Sequence, residues 1–245
     1  MTGTGLHIGG GLVAAWRFLP RAWRAAWAAL TLTMVAVALA FAAAPAWWFV
    51  VVLVVLMARG ALWRVALGGG RPGPGGLQLG AMEGRIASAW ALSTLFMAIL
   101  TSLMIVVLLC CAYAAASVGR GFDPAEVATW ASAVEGGGRV FLGAAAFVCV
   151  AGMVFAATRV SLAEAATVTR AKVQVLSAWT LSRGRVVFLL IANVIVAGPA
   201  LALLALRMRG HVGWTWAVAE GVAVGGLWLP LSIGLMAYAY ETAET

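Results

Sequence analysis

Long apolar runs separated by short polar connections dominate this chain of 245 residues. Six runs have the roughly 20 residues that an α-helix needs to cross a bilayer core about 30 Å thick. They are too long for buried strands and do not alternate as the strands of a membrane barrel do. The pattern therefore predicts an all-α polytopic membrane protein. Its six predicted transmembrane helices are Ala25 to Ala44, Ala46 to Leu67, a span within Ala87 to Ser117, Val140 to Thr158, Val186 to Leu206, and a span within Val212 to Tyr240.

Short amphipathic helices are predicted beside these spans. Within residues 6–24, apolar side chains such as Leu12 and Trp16 recur at spacings of three and four, and arginines such as Arg17 lie on the opposite helical face. This pattern is typical of a helix lying in the membrane interface, here with a kink at Pro20. An ordinary basic segment leading into the first span is the alternative interpretation. A second interfacial helix is predicted before the fifth span.

A linker rich in glycine and proline divides the predicted organisation. Residues 68–76 contain six glycines and two prolines, a composition that does not sustain a helix. No Gly-Lys-Ser/Thr ending follows, so the run does not match a phosphate-binding loop. The prediction is therefore an interfacial helix with a two-span hairpin in residues 1–67 and a four-span membrane unit in residues 77–245.

Composition excludes several classes of protein. Hydrophobic residues make up 64% of the chain and charged residues only 10%, against about 25% charged in ordinary soluble domains. A soluble enzyme, a disordered chain and a disulfide-stapled secreted domain are thereby excluded. The net charge of +8 reflects cations in the connections, so lipid headgroups explain it better than nucleic acid.

The basic residues also predict the orientation. One set of connections holds 12 of them and the opposite set holds 4. Because cytoplasmic connections are enriched in Lys and Arg, we expect the first set and both termini to be cytoplasmic. Arg59, near the end of the second span, is expected to extend along its alkyl stem to the interface.

Polar residues inside spans are the default place to look for function in a membrane protein. Glu220 lies in the sixth span and Asn193 in the fifth, and Arg207 or Arg209 is a candidate partner for Glu220. A small polar pocket is one interpretation of these residues. A purely structural carboxylate is the other, because only one buried carboxylate is evident in the spans.

Helix-breaking and small residues modify the last two spans. Pro199 and Pro230 are expected to break or kink these helices and free carbonyl groups toward a cavity. Gly221 and Gly225 form a small-xxx-small pattern, which lets another helix approach closely. We expect this pattern to form a packing seam within the chain rather than a dimer contact.

No catalytic arrangement is evident. The chain has 2 His and 3 Cys, and it lacks metal-spaced ligands, a nucleophile elbow and paired carboxylates at a reacting site. We therefore predict that it is not an enzyme and uses neither a metal nor a cofactor.

Two segments carry a family resemblance. The stretch Arg159-Val160-Ser161-Leu162-Ala163-Glu164-Ala165-Ala166 is followed by Ser177-Ala178-Trp179-Thr180-Leu181-Ser182-Arg183-Gly184, and Leu6-His7-Ile8-Gly9 and Trp16 stand near the start. With these, the chain resembles bacterial six-span membrane proteins of unassigned role, which are similar to the membrane domain of glycerophosphodiester phosphodiesterases. The resemblance implies a helical membrane module with a lipid connection. It does not carry over the hydrolase activity, because the catalytic barrel is absent.

The predicted function is that of a non-enzymatic bacterial inner-membrane protein that binds or organises lipids or a membrane partner, including a second copy of itself. An equally open interpretation of its cytoplasmic cations is that they only set the topology. The alternative function is a small-solute or ion permease using Glu220 and Asn193. The residues predicted to bind lipid headgroups are Arg159, Arg170, Lys172, Arg183 and Arg185.

Overall fold

The fold is helical. The computed structural model describes residues 7–43, 46–68, 70–119, 123–125, 129–130, 133–175 and 177–244. Among these, six helical segments are long and apolar enough to cross a membrane. The predicted all-α polytopic fold is confirmed, and so is the number of spans.

The helices are numbered in chain order. They are α1 (Ile8–Ala42), α2 (Trp47–Leu67), α3 (Ala81–Ala116), α4 (Gly137–Val160), α5 (Ala163–Thr169), α6 (Ser177–Leu181), α7 (Val186–Met208), α8 (Trp214–Gly221) and α9 (Leu229–Glu244). A 3₁₀ turn at Pro74–Gly76 precedes α3, and a π-helix at Val222–Trp228 joins α8 to α9.

The chain forms two compact units. Unit 1 comprises Met1–Trp90 and Arg159–Thr245, and unit 2 comprises Ala91–Thr158. The predicted linker at 68–76 does not separate these units, because residues on both sides of it belong to unit 1. Part of the linker packs on α1: a Cβ atom added to Gly76 would lie 2.9 Å from the Cα atom of Ala26.

Unit 1 is built around α1. A stripe of small residues at helical spacing runs along this helix and is buried, including Gly11, Ala15, Ala22 and Ala29. The α8–π–α9 segment lies antiparallel to α1, since Met34 contacts the start of the π-helix and Gly10 lies near Tyr238. Small side chains allow this close approach between helix backbones.

The predicted interfacial helix at 6–24 is part of α1 rather than a separate element; residue 6 lies outside the described residues. The helix continues through Pro20, and its one non-helical conformation is at Ala26 (φ −128°, ψ 28°). The predicted apolar face is divided in the structure, because Trp16 is 58% exposed whereas Ala15 is 1% exposed. Because α1 packs closely against its neighbours, small side chains lie on its buried side and the large Trp16 indole lies on its exposed side.

The small-xxx-small pattern forms a packing seam inside the chain, as predicted. A Cβ atom on Gly221 would lie 2.3 Å from the backbone oxygen of Met34, and one on Gly225 would lie 2.9 Å from the Met34 nitrogen. Such distances leave no room for a side chain. The two glycines are therefore needed for the contact between α1 and the segment containing α8 and the π-helix.

Two short helices precede α7, where an interfacial helix is predicted. α5 is buried over residues 163–167, so it belongs to the core of unit 1 rather than to the membrane surface. α6 is partly exposed and carries Trp179.

Unit 2 consists mainly of the longer part of α3 and most of α4. Large apolar side chains on both helices are exposed, among them Ile99, Val106 and Phe147. In a helix of a membrane protein such side chains suit contact with lipid tails, which are as apolar as they are. Thr101 Oγ1 lies 3.7 Å from the sulfur of Met153 and connects the two helices.

Candidate functional site

Buried carboxylates paired with arginines are the main polar feature of unit 1. Within the described residues these carboxylates are Glu83, Glu164 and Glu220. Burying an ion is costly unless it is paired and its hydrogen-bonding groups are satisfied. The degree to which each carboxylate is satisfied therefore distinguishes a structural pair from a site that can take a ligand.

Glu164 is the centre of a closed cluster. Its Oε2 atom accepts hydrogen bonds from Arg59 Nε (2.8 Å), Arg59 Nη2 (2.6 Å) and Trp63 Nε1 (2.8 Å). Its Oε1 atom accepts one from Trp90 Nε1, and the Arg59 guanidinium lies 5.3 Å from the centre of the Trp90 ring. Arg59 and Trp63 are four residues apart on α2 and so share a face. Both carboxylate oxygens are occupied, which is typical of a structural site.

Glu83 forms the second closed pair. Arg64 binds it in a bidentate manner, with distances of 2.6 Å and 2.9 Å. Oε2 of Glu83 also accepts the backbone N–H of Gly80 at 2.9 Å, as a glutamate in the first turn of a helix does in a capping box. A Cβ atom on Gly60 would clash with the Glu83 carboxylate, so a side chain at this position would displace that carboxylate from Arg64.

Glu220, on α8, forms the third pair, and it is incomplete. Its Oε2 atom accepts a hydrogen bond from Arg207 Nη1 at 2.8 Å, which confirms one of the two predicted partners. Arg207 also donates to the backbone oxygen of Phe41 at 2.7 Å and lies 4.7 Å from the centre of that ring. Oε1 of Glu220 is buried, and no donor in the described part of the chain reaches it.

An apolar cavity of about 210 Å³ adjoins Glu220. Helix α7 and the π-helix supply most of its wall, and Phe41 at the end of α1 closes one side. Its lining residues are Phe41, Ala197, Ala200, Leu201, Leu204, Glu220, Val224 and Trp228. A carboxylate that lines an apolar cavity and has one unused oxygen is the arrangement in unit 1 best suited to a small ligand.

The pocket predicted from broken helices differs from the one observed. Asn193 is not hydrogen-bonded to Glu220. Its Nδ2 atom donates to the backbone oxygen of Leu189, on the same helix, at 2.8 Å. Helix α7 continues through Pro199. Pro230 has no N–H for the carbonyl of Gly226, and that carbonyl accepts the indole N–H of Trp23 at 3.1 Å instead.

The five cations predicted to bind headgroups lie on or beside the connection between α4 and α7. Arg170, Lys172 and Arg183 are exposed, and Arg159 and Arg185 are half-buried. The single acidic residue in the sequence 159–185 is Glu164, which is buried and paired. The exposed charge of this connection is therefore entirely positive.

The half-buried arginines fix the connection in place. Arg159 donates to the backbone oxygen of Trp179 at 2.8 Å and lies 5.3 Å from the centre of its ring. Arg185 donates to the backbone oxygen of Thr242 at 2.7 Å, in the last turn of α9, where helix carbonyls lack helical partners. The positions of these two arginines are therefore set by protein contacts.

The ion pairs Arg59–Glu164 and Arg64–Glu83 are not among the predictions made from the sequence. Arg59 is expected to extend to the interface, and in the structure its guanidinium is bound by Glu164, in the connection that follows α4. The expectation of a single buried carboxylate is wrong, because Glu83 and Glu164 are buried as well. Both lie in segments that the hydrophobic pattern assigns to connections between spans. The small number of acidic residues, 8 in the chain, makes Glu83 and Glu164 candidates for pairing with arginines in the spans, but it does not identify the partners.

Within the described residues, no three His, Cys, Asp or Glu side chains come together in a way that could hold a metal ion. No protein-family model, curated protein or solved structure matches the chain.

Proposed function

We propose that this chain is a non-enzymatic protein of the bacterial inner membrane that binds and organises anionic lipids, with both termini in the cytoplasm. The proposed lipid-binding surface is the cationic surface. It consists of the exposed residues Arg170, Lys172 and Arg183 and the half-buried residues Arg159 and Arg185. The proposal is supported by the excess of positive charge in residues 159–185, whose single acidic residue is buried and paired, next to exposed apolar side chains.

Apolar side chains lie between these cations along the chain. Val173 is 38% exposed and Trp179 is 39% exposed. Exposed tryptophan is enriched at the level of lipid headgroups, where the ring meets the acyl boundary and the N–H stays hydrated. Cations that flank such residues favour an anionic membrane surface by about 1 kcal/mol each.

The resemblance to the membrane domain of glycerophosphodiester phosphodiesterases supports the same proposal. It rests on Arg159–Ala166 and Ser177–Gly184, and these segments contain part of the cationic surface and its neighbour Trp179. The permease alternative has less support. The amide of Asn193 is used within α7, and Arg207 is bound by Glu220 and Phe41.

Native mass spectrometry of the purified protein in detergent tests the proposal. Phosphatidylglycerol is titrated onto the wild type and onto a variant carrying Arg170→Gln, Lys172→Gln and Arg183→Gln. With about 1 kcal/mol for each cation, we expect the triple change to weaken binding by at least about tenfold, and we expect added salt to weaken wild-type binding. Phosphatidylcholine, which has no net charge, should bind weakly and equally to both proteins.

Arg183 and Arg209 supply a matched control, because both are exposed and they flank opposite ends of α7. Arg183→Gln should lower phosphatidylglycerol binding, and Arg209→Gln should leave it unchanged. Equal binding by the wild type and the triple variant would mean that these cations only set the topology, and the proposal would fail.

A further inference from the structure

Glu220 differs from the other two buried carboxylates in having one unused oxygen. It is 3% exposed, and its Oε1 atom has no donor in the described part of the chain. Both oxygens of Glu164 and both oxygens of Glu83 are bound. A buried acceptor without a donor is unfavourable, so an external donor that reaches it gains binding free energy.

The cavity beside this carboxylate suits an alkyl chain better than water. Its volume of about 210 Å³ corresponds to roughly seven waters at about 30 Å³ each. An ordered water needs two to four polar partners, and the lining is almost entirely apolar apart from Glu220. Leu201 and Leu204 line the cavity and are exposed on α7, so the cavity opens on the apolar outer surface of unit 1.

The π-helix shapes one wall of the cavity. Val224 and Trp228 both belong to the π-helical segment Val222–Trp228 and both line the cavity. A π-helical segment interrupts regular α-helical packing, and such segments are frequent at functional sites. The distortion therefore coincides with the free carboxylate oxygen and the cavity.

We infer that this cavity binds an uncharged amphiphile with a hydroxyl group, whose O–H donates to Glu220 Oε1 while its alkyl chain fills the apolar cavity and continues into the bilayer. The charge balance of the site favours a ligand hydroxyl over a ligand ammonium group. Arg207 already neutralises Glu220, so an ammonium would leave a net positive charge in an apolar site, whereas a hydroxyl leaves the site neutral. This site lies apart from the cationic surface and goes beyond the function proposed above.

Photolabelling in phosphatidylcholine nanodiscs tests the inference with three probes that share one diazirine-bearing hexadecyl chain. The probes are the alcohol, its methyl ether and the corresponding amine. We expect the alcohol to label peptides covering 197–204 and 220–228. The ether has no donor and leaves Oε1 unsatisfied, so it should displace the alcohol about tenfold less well than unlabelled alcohol does, or worse. The amine should also displace the alcohol less well.

A pair of variants on α7 checks the location. Ala200→Phe fills the cavity and should abolish labelling by the alcohol, whereas Ala205→Phe lies on the exposed side outside the cavity lining and should leave labelling unchanged. The probe comparison uses the wild type and stands even if Ala200→Phe does not fold. Equal competition by alcohol and ether, stronger binding of the amine, or no labelling of these peptides would each overturn the inference.

The experiment separates this site from the proposed lipid-binding function. The variant with Arg170→Gln, Lys172→Gln and Arg183→Gln should retain labelling by the alcohol in full. Loss of labelling in that variant would contradict the inference that the cavity is independent of the cationic surface. Retained labelling together with unchanged phosphatidylglycerol binding would contradict only the proposed function.

Discussion

At the scale of single residues, indole and guanidinium donors make it feasible to bury a carboxylate in this protein. Glu164 receives hydrogen bonds from Arg59, Trp63 and Trp90, so its charge is neutralised and its lone pairs are used. A tryptophan adds a donor without adding charge and fills apolar space with the rest of its ring. The cluster therefore stabilises the packing of α2, α3 and α5 without a net charge.

Glu164→Gln should strongly destabilise the protein, because it leaves the half-buried Arg59 without its counter-ion. Removing one partner of a buried pair typically costs about 3–5 kcal/mol. Adding Arg59→Gln should recover part of this loss, because the stranded charge is then removed as well. Thermal unfolding in detergent, followed by the fraction that stays monodisperse, measures both effects.

Glu241→Gln is the matched control, since Glu241 is exposed on α9. We expect its midpoint of unfolding to equal that of the wild type. If the double variant were no more stable than Glu164→Gln alone, the loss would come from packing or from the tryptophan hydrogen bonds rather than from the unpaired arginine.

At the scale of helices, the hydrophobic pattern predicts the spans well because lipid and protein interior are both apolar. The predicted fifth span, Val186 to Leu206, matches α7 within two residues at its end. The same similarity hides which helix faces pack together: the predicted apolar face of residues 6–24 holds both Ala15, which is buried, and Trp16, which is exposed. The predicted contact at Gly221 and Gly225 succeeded because it depends on size rather than on hydrophobicity.

Polar partners were harder to predict than helices. Pairing Arg59 with Glu164 requires contact between residues that are 105 positions apart, and no local pattern encodes such a contact. Arg207 and Glu220 are only 13 positions apart and flank a single connection, so their pairing could be predicted from the order of the spans. The cavity beside Glu220 depends on a π-helix that periodicity at 3.6 residues does not reveal.

Gly221→Ala tests the seam between α1 and α8. The added Cβ atom would lie 2.3 Å from the Met34 carbonyl oxygen, and a backbone atom cannot move aside by a change of rotamer. We expect a loss of roughly 1–3 kcal/mol, as for other overpacked interiors, measured as a lower midpoint of thermal unfolding.

Gly152→Ala is the control for this change. Gly152 lies within α4, and a Cβ atom there would meet nothing within 4 Å. Alanine favours a helix by about 1 kcal/mol over glycine, so this variant should be as stable as the wild type or more stable. Equal behaviour of the two variants would mean that the seam can relax at little cost.

At the scale of the whole molecule, the ion pairs refine the argument for orientation. Arg59 and Arg64 are bound by buried carboxylates, and so is Arg207 on the other side. Removing these three from the two sets leaves 10 basic residues against 3, so the bias that predicts the orientation remains. We therefore expect the cationic surface to face the cytoplasm, and Arg209 to face the opposite compartment.

Cysteine labelling in intact cells measures this orientation. In a chain whose Cys110, Cys111 and Cys149 are changed to alanine, Lys172→Cys should react with a membrane-impermeant maleimide only after the cells are broken, because it belongs to the cation-rich side. Arg209→Cys should react in intact cells, since Arg209 follows the opposite end of α7. Labelling of Lys172→Cys in intact cells would invert the topology, and anionic lipid of the cytoplasmic leaflet could then no longer be the ligand of the cationic surface.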